Sequence, residues 1–385
     1  MNAEEKRQPV GLIACSDYQM AHVEKALRQL LLDIDGLSFV KEGMTIGLKT
    51  NLVTGSAPDK AVVTHPVLLA ALTKILTEKG ARVVIGDSPG GLFTQGALEY
   101  AYRASELKIA EEAGACLNKN VAVQEISYPE AKVLKSFTCS AWLLEVDAII
   151  DCCKLKTHGM MALSANVKNM FGAIPGTMKP EYHFRFPGHE DFADMLIDLN
   201  EYLKPSLYLT DAIVGMEGNG PTSGKPRKIG AILAGKNPYD LDIVCAGIIG
   251  LKAKEVPTIA AAIRRGLCQT DIDQMLLTGD PGQFFVPDYK LVRKLADIEF
   301  SSHLPAFIMP LARSILTAGP RVKKTECIGC RKCASICPAK AITMVKKKPV
   351  IDKKACIRCF CCQEFCPVGA MKVHRSPVAR VLSRG

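Results

Sequence analysis

Short apolar runs alternate with amphipathic stretches through the first 285 or so residues of this chain. The apolar runs are bounded by polar or turn-forming residues, so they predict strands at 10–14, 44–48, 82–86, 121–126, 147–153, 206–210 and 229–233. Apolar positions at helical spacing predict helices at 21–32, 66–78, 98–113, 191–202 and 241–249. Strands that alternate with helices in this way predict an α/β fold, with a mostly parallel sheet flanked by helices.

Polar side chains follow four of the predicted strands, at the point where each strand ends. They are Lys49 and Asn51, then Asp87 and Ser88, then Lys154, Lys156 and His158, and finally Asp211 with Glu217. Ligands of such sheets bind beyond the carboxyl ends of the strands. We therefore expect a binding site where these four strand ends meet.

The stretch SANVKNMFGAIPG adds further polar groups, since Asn166, Lys168 and Asn169 lie within about one helical turn. Amides, a lysine and glycines suit contact with an anion or a polar substrate. A short capped helix that ends at a glycine explains the same residues equally well. For His183, farther along, a solvated loop position is favoured over a place at the site.

The last part of the chain contains an internal repeat of the form Cys-x2-Cys-x2-Cys-x3-Cys-Pro, starting at Cys327 and again at Cys356. This spacing is that of two-cluster bacterial ferredoxins, in which the fourth cysteine of each run ligates the other cluster. The repeat predicts a small α+β domain with two [4Fe–4S] clusters. One cluster would be held by Cys327, Cys330, Cys333 and Cys366, and the other by Cys356, Cys359, Cys362 and Cys337. A zinc site fits less well, because zinc sites use ligand pairs rather than two complete four-cysteine runs.

Nine of the sixteen cysteines lie between positions 327 and 366. The chain opens without a signal-peptide pattern, so a reducing, cytoplasmic location is expected and the cysteines do not indicate disulfides. Cys361 is surplus to the repeat, and a bystander role is favoured over an alternative ligand or a redox thiol. Among the scattered cysteines Cys153 is the best candidate for a functional thiol because Lys154 is adjacent, although a buried apolar role is favoured.

The net charge of +10 is concentrated at one end, since residues 320–385 hold 16 Lys and Arg against 3 Asp and Glu. A basic electron-transfer module predicts an acidic carrier, of ferredoxin or flavodoxin type, as partner. Nucleic acid is less favoured, because the basic residues lack interleaved aromatics and Phe360 and Phe365 are expected to cover the clusters. No membrane span is expected, because Pro305, Pro310 and Arg313 break the one long weakly charged stretch.

At 385 residues the chain is longer than one hydrophobic core usually serves. We predict an α/β domain at 1–285, a connecting helical segment at 286–319, a two-cluster ferredoxin domain at 320–375 and a basic tail at 376–385.

Several motifs in order resemble one known family, the domain-of-unknown-function family numbered 362. They are Lys49-Thr-Asn51, Thr64-His65-Pro66, Gly86-Asp87-Ser88-Pro89-Gly90, Lys154-Leu-Lys156-Thr157-His158, Asn166-Val-Lys168-Asn169 and Met216-Glu217-Gly218-Asn219-Gly220-Pro221. The resemblance covers about 50 to 250, and family members often carry a two-cluster ferredoxin at the C-terminus. Asn237 departs from the pattern, which has an acid there, whereas Asp242 is retained. The family implies a fold but no settled reaction.

Two functions are consistent with these features. In the first, an iron–sulfur oxidoreductase passes low-potential electrons through both clusters to an anionic small molecule. Its candidate catalytic residues are Lys49, Asp87, Lys156, His158 and Asp211, and its candidate substrate-binding residues are Asn51, Ser88, Lys154, Asn166, Lys168, Asn169 and Glu217. In the second, the chain is a non-catalytic electron-transfer subunit or a redox-responsive binding protein. Nucleotide-binding fingerprints are absent from the sequence.

Overall fold

The computed structural model describes residues 8–292, here called the large domain, and residues 319–374, here called the cysteine module. The strands are β1 (Val10–Ala14), β2 (Thr45–Lys49), β3 (Arg82–Gly86), β4 (Cys116–Leu117), β5 (Val123–Ser127), β6 (Ser136–Ser140), β7 (Ala148–His158), β8 (Ala162–Ser164), β9 (Leu207–Glu217), β10 (Lys225–Gly235), β11 (Gly319–Val322), β12 (Ile342–Val345), β13 (Lys348–Ile351) and β14 (Met371–His374). The α-helices of the large domain are α1 (Met20–Asp33), α2 (Pro66–Glu78), α3 (Gln95–Ala104), α4 (Lys108–Glu112), α5 (Asn166–Asn169), α6 (Lys179–Arg185), α7 (His189–Leu203), α8 (Pro238–Ile248) and α9 (Pro257–Arg264). The cysteine module adds the short helices Lys332–Ser335 and Cys361–Glu364. Single 3₁₀ turns lie at Pro58–Lys60, Ala141–Leu144, Met170–Ala173, Gly176–Met178, Ala253–Glu255, Ile272–Gln274 and Pro281–Phe284.

The large domain is built on one twisted sheet in the order β1-β10-β9-β7-β2-β3-β4, with β8 beside β7. The strands from β9 to β4 run parallel, while β10 and β1 are antiparallel additions at one edge. This confirms the predicted α/β class with a mostly parallel sheet flanked by helices. The carboxyl ends of β2, β3, β7 and β9 therefore lie at one edge of the sheet.

Alternate residues of β7 pack on opposite faces of the sheet, as the two-residue period of a strand requires. Ile150 and Cys152 join the core formed with α1 and α2. Cys153 and Leu155 join a second core formed with α8. A strand covered on both faces reads as a continuous apolar run, which is why the sequence located it.

Four elements differ from their predictions. The strand predicted at 121–126 pairs with β6 alone, as a separate hairpin, because its side chains are mostly exposed and cannot occupy a covered sheet. The helix predicted at 98–113 is two helices, α3 and α4, separated where Glu106 has a φ of 57°. Strands β7 and β9 each continue for 11 residues, well past their apolar runs, because the polar residues that follow are buried too.

The cysteine module repeats one backbone conformation in its two cysteine motifs. Each short helix follows a left-handed residue, Arg331 in the first motif and Phe360 in the second, with φ of 66° and 61°. Between the motifs β12 and β13 form a hairpin. Its turn residues Lys346 and Lys347 both have positive φ, as a type I′ turn requires.

The predicted connecting segment, with KLVRKLADIEF and LPAFIMPLARSIL, falls largely outside the described residues, as does the basic tail 376–385. The predicted domain boundaries therefore stay predictions. Among the described residues, no helix combines the length and the apolar character that crossing a membrane requires.

Candidate functional site

A cavity lies beyond the carboxyl ends of β2, β3 and β7, where the cysteine module meets the large domain. Including its open mouth it holds about 570 Å³. Seven predicted site residues line it, namely Asn51, Asp87, Ser88, Lys156, His158, Lys168 and Asn169. The remaining lining residues are Val53, Thr54, Gly90, Ser164, Phe171, Gly172, Lys179, Pro221, Glu364 and Phe365. We call this space the interdomain cavity.

Two lysines of the cavity, Lys156 buried and Lys179 partly buried, are held by neutral oxygen atoms. Lys156 Nζ donates to Asn51 Oδ1 at 2.5 Å and to the Val62 carbonyl at 2.8 Å. Lys179 Nζ donates to the Ser88 carbonyl at 2.6 Å and to the Ile174 carbonyl at 2.7 Å. Burial lowers the pKa of both lysines to about 7, because a charged ammonium loses hydration inside the protein. Neither is paired with a carboxylate in the described residues, so both favour an anion nearby.

Lys168 is the least satisfied cation of the cavity. Its Nζ lies 4.5 Å from the ring centroid of Phe171 and 5.8 Å from that of Phe192. Among the described residues it has no hydrogen-bond or ion-pair partner, and burial lowers its pKa. A buried ammonium that relies on aromatic faces alone leaves its donors free for a ligand.

Lys49 and Asp87 form a buried ion pair beneath the cavity, with Nζ 2.8 Å from Oδ1. The same carboxylate accepts the backbone N–H groups of Leu52 and Ser88, each at 2.8 Å. Gly172 lies against the pair, since a Cβ there would be 2.2 Å from Asp87 Oδ1. The pair therefore positions the loops around the cavity, and only Asp87 of the two reaches its lining.

His158 connects the cavity to the cysteine module. Its Nδ1 accepts the backbone N–H groups of Met160 at 3.0 Å and Met161 at 3.2 Å, so the neutral ring carries its hydrogen on Nε2. That atom lies 3.0 Å from Glu364 Oε1, outside hydrogen-bond geometry but within ion-pair distance. Burial lowers the pKa of His158, and Glu364 opposes that shift.

Four predicted site residues lie elsewhere. Lys154 and Asp211 form a closed buried pair, 2.5 Å apart, in which Tyr18 donates to Asp211 at 2.8 Å. Two more form contacts away from the cavity: Asn166 donates to Asp242 at 2.9 Å, and Glu217 accepts the Lys290 N–H at 3.1 Å. None of the four lines the interdomain cavity.

Two further residues singled out in the sequence take structural positions. The favoured interpretation of His183 as a solvated loop histidine is wrong, because α6 turns it inward to stack on Phe192 at 4.3 Å. Asn237 caps α8, its side-chain oxygen accepting the N–H groups of Tyr239 and Asp240. An amide thus fills the capping role that an acid would fill there.

Sequence reasoning missed Lys179, Phe171, Glu364 and Phe365 as lining residues. Lys179 begins a helix with no strand before it, so no strand-end signal marked it. Glu364 and Phe365 stand between two cysteines of the second motif, and Phe365 was assigned to covering a cluster. Only the docking of the two domains brings them to the cavity.

That docking uses the second motif. Gln363 Nε2 donates to the carbonyls of Asn219 at 3.0 Å and Gly220 at 2.9 Å. Phe360 is 3% exposed and belongs to a core cluster of the large domain. Phe365 packs so closely on Gly90 that a Cβ there would lie 2.7 Å from its ring. The module is therefore seated through buried, hydrogen-bonded contacts.

The cysteines of the module form two groups. Cys327, Cys330, Cys333 and Cys366 line one cavity of about 340 Å³, counted with its open mouth. In the other group Cys356 lies beside Cys359 and Cys337, whose charges add to the rise that burial causes in its pKa.

Each group also receives a backbone donor, since Ala341 N–H donates to Cys337 Sγ at 3.3 Å and Ala370 N–H to Cys366 Sγ at 3.1 Å. Thiols in such groups with N–H donors to sulfur fit a [4Fe–4S] cluster. No three His, Cys, Asp or Glu side chains of the described ranges are grouped so that they could hold a single metal ion. A cube of four irons holds its ligands farther apart than one ion does.

Comparison with known proteins agrees with the description of the chain as a large domain and a cysteine module. Residues 46–247, about half of the chain, match the model of the family described as Domain of unknown function (DUF362). The chain belongs to the DUF362 family. Residues 326–370 of this DUF362 protein match a 4Fe-4S dicluster domain, so it is an iron–sulfur protein with an electron-transfer module.

Three proteins illustrate what this DUF362 protein is similar to. A thylakoid-associated protein of a Synechocystis strain is 30% identical over 298 residues, which cover 76% of this chain and 90% of that protein. A structural-genomics crystal structure from Thermotoga maritima aligns with a TM-score of 0.37 at 12% identity, over 59% of this chain and 57% of that one. The lactate racemase apoprotein of Thermoanaerobacterium thermosaccharolyticum aligns with a TM-score of 0.40 at 13% identity, over 66% of this chain and 60% of that one. This chain thus spans less than two thirds of either solved structure, and such scores carry no argument about its reaction.

Proposed function

We propose that this DUF362 protein is an iron–sulfur oxidoreductase that reduces an anionic small molecule in the interdomain cavity. One observation carries the proposal: Glu364 and Phe365, which form part of the cavity wall, lie between Cys362 and Cys366 of the second motif. A molecule in the cavity therefore lies next to the residues that would hold a cluster. The fusion of an electron-transfer module to a separate binding cavity supports a reducing enzyme.

The cofactors in this proposal are two [4Fe–4S] clusters, each shared between the motifs. Cys327, Cys330, Cys333 and Cys366 would hold the first, and Cys356, Cys359, Cys362 and Cys337 the second. When bound, such clusters supply one electron each at low potential. The grouping of the thiols around two centres supports this assignment.

The charges of the cavity favour an anionic substrate. Lys156, Lys168 and Lys179 line it without a carboxylate partner among the described residues. Its two acids are already engaged, Asp87 with Lys49 and Glu364 with His158. A carboxylate or phosphate group beside Lys168 would supply the hydrogen-bond acceptors that this buried ammonium lacks.

Reduction of an unsaturated bond in that anion consumes two electrons and two protons. The electrons would come one at a time from an acidic carrier of ferredoxin or flavodoxin type, by way of the clusters that the eight cysteines would hold. The Lys156 ammonium and, in its protonated form, His158 are the groups that would donate the protons, which solvent then restores. Asp87 and Lys49 act as positioning residues, because they hold the loop that carries Ser88.

The cluster assignment is tested by anaerobic purification and iron analysis of matched cysteine variants. The wild-type protein should contain about eight irons per chain, and Cys362→Ala should lose about half of them. Cys361→Ala, the adjacent control, should retain them all. If the iron content per chain falls equally in both variants, the eight-ligand assignment is wrong.

The reaction is tested by mass spectrometry of small molecules that copurify with the protein, and by reoxidation of the reduced clusters in their presence. A substrate should accelerate reoxidation, and Lys168→Met should abolish the acceleration, whereas the exposed control Lys290→Met should not. A molecule that binds in the cavity but leaves reoxidation unchanged would instead favour a non-catalytic subunit or a redox-responsive binding protein.

The expected location is the cytoplasm, with an acidic electron carrier as partner. The Synechocystis relative is described as thylakoid-associated, which adds peripheral association with a membrane as a second expectation. Fractionation of a native lysate at low and high salt distinguishes the two locations.

A further inference from the structure

The cysteine module has two structurally equivalent faces, one for each motif. Residues at matching positions of the repeat share left-handed backbone: Gly329 with Arg358 and Lys340 with Gly369, besides the pair before each helix. The N–H donors to Cys337 and Cys366 are also at matching positions. The two faces therefore differ in side chains rather than in backbone.

The second-motif face, formed by residues 360–365, is occupied by the large domain. Phe360 is buried in it, Gln363 and Glu364 contact it through polar groups, and Phe365 enters the interdomain cavity. Each of these side chains suits a permanent, partly apolar contact.

The first-motif face carries a different set at the same positions. Arg331 stands where the second motif has Phe360, Lys332 where it has Cys361, and Ser335 where it has Glu364. All three are exposed, and Arg331 and Lys332 have no ion-pair partner in the described ranges. Beside them Ile328 is 65% exposed and Val368 is 42% exposed, and both border the cavity of the first cysteine group.

We propose that the first-motif face, formed by Ile328, Arg331, Lys332, Ser335 and Val368, is the docking surface for an acidic one-electron carrier protein. A small apolar centre inside a cationic rim suits a short-lived complex with an anionic protein, whose charge steers the encounter. The described part of the module holds 13 Lys and Arg against 3 Asp and Glu, which favours such a partner over a basic one.

Docking at this face gives the electron path a direction. One electron would leave the reduced carrier and enter the cluster that the first cysteine group would hold, with no atom transferred and no bond broken. The second group, whose motif is buried against the interdomain cavity, would then receive it. This inference rests on the electron-transfer function proposed above but not on the identity of the substrate.

The test uses the full-length protein under anaerobic conditions, with a plant-type [2Fe–2S] ferredoxin as the acidic carrier. Arg331→Glu/Lys332→Glu is compared with Lys353→Glu/Lys354→Glu, which makes the same charge change at exposed lysines outside the lining of the first cavity. Stopped-flow absorbance gives the second-order rate constant for cluster reduction, and titration at several salt concentrations gives the affinity. We expect Arg331→Glu/Lys332→Glu to lower the rate constant and the affinity by about tenfold or more and to make both less dependent on salt. The control variant should stay within about twofold of the wild type in both quantities.

Iron content and reduction by photoreduced deazaflavin, a small donor that needs no docking surface, show whether each variant keeps its clusters. If the glutamate variant loses iron, Arg331→Gln/Lys332→Gln replaces it with the same expectation in direction. Equal losses in both variants, or no loss in either, would overturn the proposal. One further result would overturn it. In that case the wild-type protein binds duplex DNA, Arg331→Glu/Lys332→Glu abolishes the DNA binding, and the variant is still reduced by ferredoxin at the wild-type rate. If ferredoxin reduces the protein normally but no cavity ligand is turned over, the proposed oxidoreductase reaction is contradicted. The proposed docking surface would still be supported by that result.

Discussion

His158 Nε2 and Glu364 Oε1 lie 3.0 Å apart, joining strand β7 of the large domain to the second cysteine motif. Both side chains are largely buried, at 2% and 15% exposure. This contact places a titratable ring of the cavity beside the helix that follows Cys359. The large domain and the module therefore share one polar contact at the point where the proposed electron transfer ends.

Removing that contact should loosen the module from the large domain. Glu364→Ala removes the carboxylate that faces the buried His158 Nε2–H, and we expect the free energy of unfolding to fall by about 1–3 kcal/mol. Hydrogen exchange should also rise around Asn219 and Gly220, which hold the same helix. Glu326→Ala is the control, because Glu326 forms exposed ion pairs with Lys323 and Lys372. Equal exchange in the two variants would show that the contact does not hold the domains together.

Adding one methyl group at Gly172 should disrupt the cavity floor. A Cβ there would lie 2.5 Å from Lys49 Nζ as well as against Asp87, so Gly172→Ala must displace the buried ion pair. We expect a loss of stability of about 1–3 kcal/mol and weaker sulfate binding by calorimetry. Gly96→Ala, in α3, meets nothing within 4 Å and should be neutral or stabilising by up to about 1 kcal/mol. Wild-type behaviour of Gly172→Ala would mean that the floor is not packed as described.

Asp211 is expected to act in stability rather than in the reaction. Asp211→Asn leaves Lys154 buried with its charge uncompensated, which should lower the free energy of unfolding in urea by about 3 kcal/mol. Adding Lys154→Met should recover part of the loss, because it removes the unpaired charge. Sulfate binding by the folded variant should be unchanged. If Asp211→Asn is as stable as the wild type but no longer binds sulfate, Asp211 acts at the candidate site and not in stability.

Anion binding should weaken as the pH rises through 7. Burial lowers the pKa of Lys156 and Lys179 to about 7, so both are cationic below that pH and lose the charge above it. We expect the affinity for sulfate, which does not titrate in this range, to fall by up to about tenfold per pH unit above 7 for each ammonium required.

The groups that surround these lysines support the predicted direction of the pH dependence, which is weaker anion binding at higher pH. Lys156 is faced by Asn51, the Val62 carbonyl and the neighbouring cations Lys154 and Lys168, and Asp87 raises its pKa only slightly. Burial lowers the pKa of His158, which disfavours a charge on this ring beside the lysines. Calorimetry from pH 6 to 9 provides the measurement, and Lys156→Met should flatten the profile. A wild-type affinity that is constant over this range would contradict the prediction.

Much of the fold could be predicted because its signals are local. The strands at 10–14 and 82–86 and the helix at 66–78 have the predicted bounds, since an apolar run or a Pro at the first helical position marks them within a few residues. Convergence of Asn51, Asp87 and Lys156 also follows from local information, because parallel strands end at one edge. The exceptions are elements whose burial depends on distant segments, such as the polar ends of β7 and β9.

The candidate site could be predicted only in part. The sequence treated Lys154 and Lys156 alike, but Lys154 is paired with Asp211, 57 residues away, while Lys156 faces the cavity. In the same way, the sequence favours a solvated position for His183, because no residue close to it in the sequence indicates its contacts with Phe171 and Phe192. Pairing and burial are properties of contacts between distant positions, so spacing along the chain does not report them.

The sequence by itself determined the iron–sulfur character of this protein, because the cysteine motifs and the prolines that follow them are complete within each repeat. It also determined that lysines and amides gather at the strand ends of an α/β domain. Only the tertiary structure decided which of these side chains form one cavity, and that Glu364 and Phe365 of the second motif complete it. The physical reason is that cluster ligation is encoded by short spacings, whereas the cavity arises where segments that are far apart in the sequence pack together.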